Sequence, residues 1–442
     1  MQTPIADYLA EILEKVRDDD SGEVADYIPE LAAADPTPLA VALCTTQGRI
    51  YSAGDDGHEF TIQSISKPFV YAAALQDRGV ETVLDKVGME PSGEAFNELS
   101  LDGTTHQPVN PMINAGAITV NQLINGEDSS VEDRVEVILD YFSRLAGRQL
   151  RIDERVTGSE LETADRNLAL AHMLRSYGII TDSATDAVTS YTRQCSIMVT
   201  VKDLAVMGVT LALGGIQPVT GEQVLDPLVC RQVQAVMASA GMYDGAGKWM
   251  ASVGIPAKSG VAGGVMGTLP GQLGIATFSP RLDSSGNSVR GSQVFRELSE
   301  SMGMLLMSSV TRRGTAVRSV RQRGLVTLVR LQGGIDFAGA EEFLDSVADR
   351  DFSTKRVVVD MRRVNASNPV GRRMVKEGLR RLRLDGLQVA VLDPEEMLGE
   401  PVYEDGTQVE EAAVDDVDGG NPGDGGDGVA GVGANREAAS GQ

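Results

Sequence analysis

The strongest constraint on the fold is the apolar run Pro68-Phe69-Val70-Tyr71-Ala72-Ala73-Ala74-Leu75, which opens on Ser64-Ile65-Ser66-Lys67. A helix that is apolar on every face must be buried, so a core has to close around this segment. Residues three apart share a helix face, so Ser64 Oγ and Lys67 Nζ can meet. A serine hydroxyl is a poor nucleophile until a base takes its proton, and a partly desolvated lysine can act as that base. The free backbone N–H groups at a helix start also favour developing negative charge. One short segment thus offers a nucleophile, a base and part of an oxyanion hole. Ser-x-x-Lys alone also occurs on solvated helices, so the rest of the chain has to decide.

Composition removes several function classes. The 442 residues carry a formal net charge of −24, which opposes binding to nucleic acid or to an anionic membrane surface. Three cysteines (Cys44, Cys195, Cys230) form no even framework and no Cys-x-x-Cys pair. Three scattered histidines (His58, His106, His172) lack ligand spacing, so a zinc site is not expected. The N-terminus has no basic stretch followed by an apolar one, and the longest apolar stretch, 204–216, is short for a bilayer. A cytoplasmic protein without membrane insertion is expected.

Residues 1–310 read as one large domain. Helical periodicity appears over 6–16, 66–78, 131–146, 160–177, 201–214 and 229–240, with apolar strands at 39–43 and 274–278. Strands near both ends and helices between them suggest a sheet built by the ends, with a helical subdomain inserted. Residues 311–323 are basic and read as a linker. Strand, helix, strand, helix and strand then follow at 325–331, 338–348, 356–360, 370–384 and 387–392, giving a small α/β domain over 324–400. Residues 401–442 read as an acidic, Gly-rich tail with too little apolar surface to fold. That tail is a candidate mask for the basic linker and for the Arg/Lys-rich helix at 370–384.

Several segments set polar side chains among Gly, Ala and Pro. Asn114, in Asn110-Pro111-Met112-Ile113-Asn114-Ala115-Gly116-Ala117, can hydrogen-bond a carboxylate or amide, or simply cap a helix. Glu160 and Asn167 fall two turns apart on one face of the expected 160–177 helix, where they could hold an amine. Tyr191 can donate to a carboxylate, and Cys195 beside it reads as buried and inert. Lys258-Ser259-Gly260 precedes a glycine run and is similar to the Lys-Thr-Gly of penicillin-recognising enzymes.

Taken together, these runs resemble the bacterial serine-dependent glutaminases over nearly all of residues 1–305. The matching runs include residues 25–31 (Ala-Asp-Tyr-Ile-Pro-Glu-Leu), 63–67, 110–117, Arg166-Asn167, Tyr191 with Gln194-Cys195, Gly241-Met242-Tyr243-Asp244 and 256–264. The resemblance implies an α+β, β-lactamase-like fold: an antiparallel sheet flanked by helices, plus a helical subdomain. It implies cofactor-free hydrolysis of L-glutamine to L-glutamate and ammonia. By the same resemblance Ser64 is the nucleophile, Lys67 its base and Tyr243 a proton shuttle. Tyr27 lies by the substrate, and Asn114, Glu160, Asn167 and Tyr191 hold its α-amino and α-carboxylate groups. Val261 gives its backbone N–H to the oxyanion, with that of Ser64. A homodimer or homotetramer is expected.

The C-terminal α/β segment resembles STAS domains, on the element order and on Val358-Val359-Asp360 before a helix. Regulatory members open that helix with a phosphorylatable serine, where this chain has Asn368-Pro369-Val370-Gly371. A docking or oligomerisation role, with an unknown protein partner, is expected instead of a kinase-driven switch. Two rivals remain at this stage: a penicillin-binding or β-lactamase-type enzyme, and a non-enzymatic regulator with an inert large domain.

Overall fold

The structure, a computed structural model, describes residues 5–91, 101–126, 128–302, 304–307, 315–335, 337–348, 352, 354–367 and 369–418. The chain divides into two compact units, Met1–Ser308 and Ser309–Gln442.

The first unit is built on five strands: β1 (Ala40–Thr45), β2 (Ile50–Gly54), β3 (Ala257–Ser259), β4 (Gly264–Leu269) and β5 (Leu273–Phe278). Their order is β2-β1-β5-β4-β3, and every neighbouring pair is antiparallel. The two ends of the domain therefore make the sheet. One face packs Val41, Leu43 and Ile275 against Leu9, Ile12 and Leu13 of the Ile5–Val16 helix and Phe295 and Leu298 of the Val289–Met302 helix. The other face carries the Val201–Ala212 helix, buried along its length except at Lys202. That helix lies directly on the sheet because Gly274 has no side chain: a Cβ there would meet Ala205 O at 2.2 Å.

Helices 66–78, 131–146, 201–212 and 227–240 form close to the expected bounds. The expected helix at 160–177 does not. It is two helices, Glu154–Glu162 and Asp165–Ser176, separated at Thr163-Ala164, so Glu160 and Asn167 do not share one helical face. Two further helices, Asn114–Leu123 and Ala184–Cys195, lie outside the helical patterns read from the sequence. The buried Arg134 joins this region, with Asp182 at 2.7 Å and the Gln122 side chain and Ile124 carbonyl both at 3.2 Å.

The second unit has strands β6 (Val317–Arg323), β7 (Val326–Ile335), β8 (Arg356–Ser367), β9 (Gln388–Leu392) and β10 (Glu410–Glu411), in the order β10-β9-β8-β7-β6. Only the β6–β7 pair is antiparallel. Helices Phe337–Ala348 and Pro369–Leu384 cover one face through Phe343, Val375 and Leu379 on Val329, Leu331, Val357 and Val359. The opposite face carries a smaller cluster of Leu328, Val358, Ala390 and Leu392 with Ala412 and Val417.

Two expected boundaries move. Residues 317–323, read as linker, are the edge strand β6, turned back on β7 at Gly324-Leu325. Pairing satisfies their backbone, and arginines on an edge strand also discourage pairing with other chains. Residues 401–418, read as the start of a disordered tail, fold onto this unit, with Tyr403, Ala412 and Val417 buried. Arg373 and Arg381 pair with Glu404 and Glu377 at 2.8 Å, so part of the helix charge expected to meet the tail is compensated locally. The linker residues 311–314, the helix-opening Asn368 and the tail beyond residue 418 lie outside the described residues. Among the described residues no helix is long and apolar enough to cross a membrane.

Candidate active site

Ser64 sits in a single 3-10 turn, Gln63–Ile65, that runs directly into helix α1 (Ser66–Arg78). Both Ser64 and Lys67 are buried, and Lys67 is 1% exposed. Gln63 holds φ 50°, a left-handed value that costs a non-glycine residue about 1–3 kcal/mol. Ser66 Oγ bonds Gln63 O at 2.7 Å and accepts from Gln194 Nε2 at 2.9 Å, which fixes the turn from beneath. Asn121 Nδ2 holds Gln194 in turn at 2.9 Å.

Lys67 Nζ donates to Asn114 Oδ1 at 2.7 Å. Asn114 is the first residue of helix α2 (Asn114–Leu123), and its side chain makes no cap. It accepts a second bond from Tyr191 Oη at 3.3 Å and donates from Nδ2 to Asn167 Oδ1 at 3.0 Å. Burial pulls the Lys67 ammonium down to about 8, so a sizeable neutral fraction exists near physiological pH. Lys67 is thereby suited to accept a proton.

Glu160 ends helix α3 (Glu154–Glu162) and Asn167 begins helix α4 (Asp165–Ser176). Tyr191 comes from helix α5 (Ala184–Cys195). The break at Thr163-Ala164 therefore brings Glu160 and Asn167 to one cavity from two helices. That cavity, of about 260 Å³, is lined by Tyr27, Ser64, Asn114, Glu160, Asn167, Tyr191 and Val261, among others. Tyr27 stands at the rim, 46% exposed. Gln63 Nε2 donates to Glu160 Oε1 at 2.7 Å. Burial raises the Glu160 carboxyl to about 7, against the opposing effect of that bond. A cation placed beside Glu160 would favour its ionised form.

Tyr243 is the second site residue in the left-handed region, at φ 55°. Its hydroxyl donates to Ser259 O at 3.0 Å. Burial lifts it above the ordinary tyrosine range despite a hydrogen bond with Ser64, so it stays protonated and can donate. Lys258, fully buried on β3, donates to the same Ser259 O at 2.9 Å and lies 3.9 Å from the centre of the Tyr243 ring. Burial, with Lys67 nearby, drives Lys258 well below the ordinary lysine range. After β3, a turn closed by Gly260 N to Gly264 O and Gly263 N to Gly260 O, both at 2.9 Å, presents Val261. Gly263 makes it possible: its φ is 103°, and a Cβ would meet Ser279 O at 2.4 Å.

The structure thus brings together all nine residues singled out from the sequence, seven lining the cavity and Lys67 and Tyr243 tied to Asn114 and Ser64. Cys195 also lines the cavity, and burial pushes its thiol up to about 12. Sequence reasoning did not assign Lys258, Gln63 or the cavity-lining Arg166 to the site. Lys258 did carry a signal, the Lys258-Ser259-Gly260 run similar to the Lys-Thr-Gly of penicillin-recognising enzymes.

A polar cavity thus lies over the buried Ser64, Lys67 and Tyr243. The glutaminase family matches residues 22–306 and the STAS domain residues 318–403. A glutaminase of Corynebacterium efficiens is 62% identical over 405 residues, spanning 92% of this chain and 96% of that protein. One of Corynebacterium glutamicum is 60% identical, spanning 91% and 98%. The solved structure of Mglu is 53% identical, with a TM-score of 0.79, covering 90% of this chain and 100% of that chain. Mglu has also been solved in a glutamate form. The chain belongs to the glutaminase family, with a C-terminal STAS domain, and is an enzyme of that family.

Proposed function

We propose that this chain hydrolyses L-glutamine to L-glutamate and ammonia through a covalent acyl-Ser64 intermediate. Neutral Lys67 takes the Ser64 proton as Oγ attacks the side-chain amide carbon. The negative charge on the tetrahedral oxygen is met by the backbone N–H groups of Ser64 and Val261. Tyr243, kept protonated, passes a proton to the amide nitrogen, and ammonia leaves. Water then attacks the ester, with its proton returned through the same groups, and glutamate is released.

The substrate orientation follows from charge. Glu160 faces the α-ammonium group. The network of Asn114, Asn167 and Tyr191 faces the α-carboxylate, to which Asn167 keeps an NH₂ to donate. Tyr27 closes the rim. The glutamate form of Mglu is consistent with a site of this kind in a relative. The observation that carries the reading is Lys67, buried and lowered to about 8, one turn after Ser64 at the floor of an amino-acid-sized cavity.

The experiment is mass spectrometry after treatment with a diazoketone analogue of glutamine. A single adduct on Ser64 that tracks the loss of ammonia release is expected. Inactivation with the label on Cys195, or with none on Ser64, would overturn the assignment. We further propose a cytoplasmic homodimer or homotetramer, to be checked by light scattering of the purified chain.

A further inference from the structure

We propose that a one-way row of hydrogen bonds, anchored on the buried Arg134, polarises the peptide group whose N–H serves the oxyanion hole. Arg134, Gln122, Asn121, Gln194 and Ser66 are thereby positioning residues for the hydrolysis, an inference that rests on the role proposed above for the Ser64 N–H. Arg134 Nη1 donates to Gln122 Oε1 at 3.2 Å, Gln122 Nε2 to Asn121 Oδ1 at 2.9 Å, and Asn121 Nδ2 to Gln194 Oε1 at 2.9 Å. Gln194 Nε2 then donates to Ser66 Oγ at 2.9 Å, and the Ser66 hydroxyl donates to Gln63 O at 2.7 Å. All five residues are buried. They come from four separate helices, Val131–Ala146, α2, α5 and α1.

The direction of the row is fixed at its origin. A guanidinium can only donate, so Gln122 must meet it with its oxygen and turn its NH₂ to Asn121. The same choice passes through Asn121 and Gln194. Ser66 is left to accept from Gln194 and to give its one proton to Gln63 O. Arg134 is itself held by Asp182 Oδ2 at 2.7 Å and donates to the carbonyls of Ile124 and Gly126. Gln63 O belongs to the same planar peptide unit as the Ser64 N–H. A hydrogen bond accepted by a peptide oxygen draws charge across the C–N bond and makes the N–H a stronger donor, and bonds in a row strengthen one another. The Ser64 N–H is the group proposed to meet the tetrahedral oxygen, so the row acts on the transition state without touching the substrate. Packing alone does not call for this arrangement. Apolar residues of similar volume fill a core as well as buried polar ones, and a buried network is stable only when every member is satisfied, as each is here.

The test reverses the row without cutting it. In Gln122→Glu the carboxylate meets Arg134 but cannot donate onward, so the Asn121 and Gln194 amides turn over and the Ser66 hydroxyl must donate to Gln194 instead of Gln63 O. Shape and hydrogen-bond count are kept. With glutamine as substrate, kcat is expected to fall about twofold to tenfold, a fraction of the roughly 10²–10³ that a whole oxyanion donor contributes. KM and the melting temperature should stay at their native values. Ser66→Ala, which removes the proton at the end of the row, should lower kcat at least as much. The kcat–pH profile should keep its midpoint at about 8 in both variants, because Lys67 is not part of the row. The proposal is overturned if Gln122→Glu turns over glutamine at the native rate, if its loss appears in KM, or if the loss is matched by a fall in melting temperature. If Gln122→Glu does not fold, Ser66→Ala decides, and a native kcat there overturns the proposal. Labelling with the diazoketone analogue separates this proposal from the reading beneath it. A native label on Ser64 with no kcat effect in the variants defeats the row alone, whereas no label on Ser64 in the native protein defeats the Ser64 mechanism on which it rests.

Discussion

Two clusters of like charge in this protein are built to opposite ends. Around Ser64, Lys67 and Lys258 are buried, and burial moves both ammonium groups down, Lys67 to about 8 and Lys258 well below the ordinary lysine range. Around Asp360, Arg318, Arg330, Arg362 and Arg363 line a cleft open to solvent and stay charged. A lysine removed from water can change its protonation state, which is what proton transfer needs. A guanidinium cannot, which is what a fixed ion pair needs. The comparison explains why Lys67 and Lys258 are bonded to a side-chain amide and a carbonyl, and Arg362 and Arg330 to the carboxylate of Asp360.

The sharpest way to break this contrast is at Ser64, the proposed nucleophile. Ser64→Ala should abolish ammonia release, with losses on the order of 10⁶ seen when other acyl-transfer enzymes lose theirs, while the melting temperature changes little. Retention of more than a few per cent of native turnover would move the chemistry elsewhere. Next comes Lys67→Arg, which keeps a cation but removes the option of a neutral base. A loss of about 10²–10⁴ in kcat is expected, the usual worth of general base catalysis. A variant within tenfold of native rate would show that Lys67 acts only as a fixed charge, as the cleft arginines do.

How far the site was legible follows from what each residue's neighbours reveal. The α1 helix and its Ser64–Lys67 opening are written in a continuous apolar run, and the structure gives that helix as Ser66–Arg78. Helix α2 was not legible by periodicity. It is buried on nearly all sides, and Gly116 lets it press against Asn110, whose carbonyl a Cβ would meet at 1.9 Å. Helix α5 is polar, but Ser183 caps it through the Asp186 N–H, a start signal the sequence did carry. The break between α3 and α4 has no proline or glycine to announce it. The arginine cleft around Asp360 was invisible because its members lie on three strands and meet only through register, including a shift between β7 and β8.

Glu160 and the pH profile sharpen the contrast further. Its carboxyl, raised to about 7 by burial, must be ionised to hold an ammonium group, so KM for glutamine should rise as pH falls below that value. Lys67 must be neutral to accept a proton, so kcat should climb as pH passes through about 8. Initial rates across this range test both. Glu160→Gln should raise KM about 10–150-fold, the equivalent of a charge-assisted bond of about 1.5–3 kcal/mol, with little change in kcat. A collapse of kcat at constant KM would place Glu160 in the proton transfers.

The smallest expected effect lies in the second cluster and concerns stability alone. Asp360 is nearly buried, and burial by itself would raise its carboxyl. The hydrogen bonds and charge of Arg362, with Arg330 beyond, outweigh that and hold it below the usual carboxylate range. A carboxyl whose folded value is depressed stabilises the fold fully above its unfolded value, and that contribution is lost as pH falls through the folded value. Asp360→Asn should therefore lower the stability of the second unit by about 1–3 kcal/mol near neutral pH and by progressively less in acid below about pH 4. Ammonia release should not change, because no group of the hydrolytic cavity is touched. Chemical denaturation of the native and variant chains at neutral and acidic pH reads the difference directly. A variant equally destabilised at both pH values would show that Asp360 contributes by shape, and that the arginines around it do not depend on its charge.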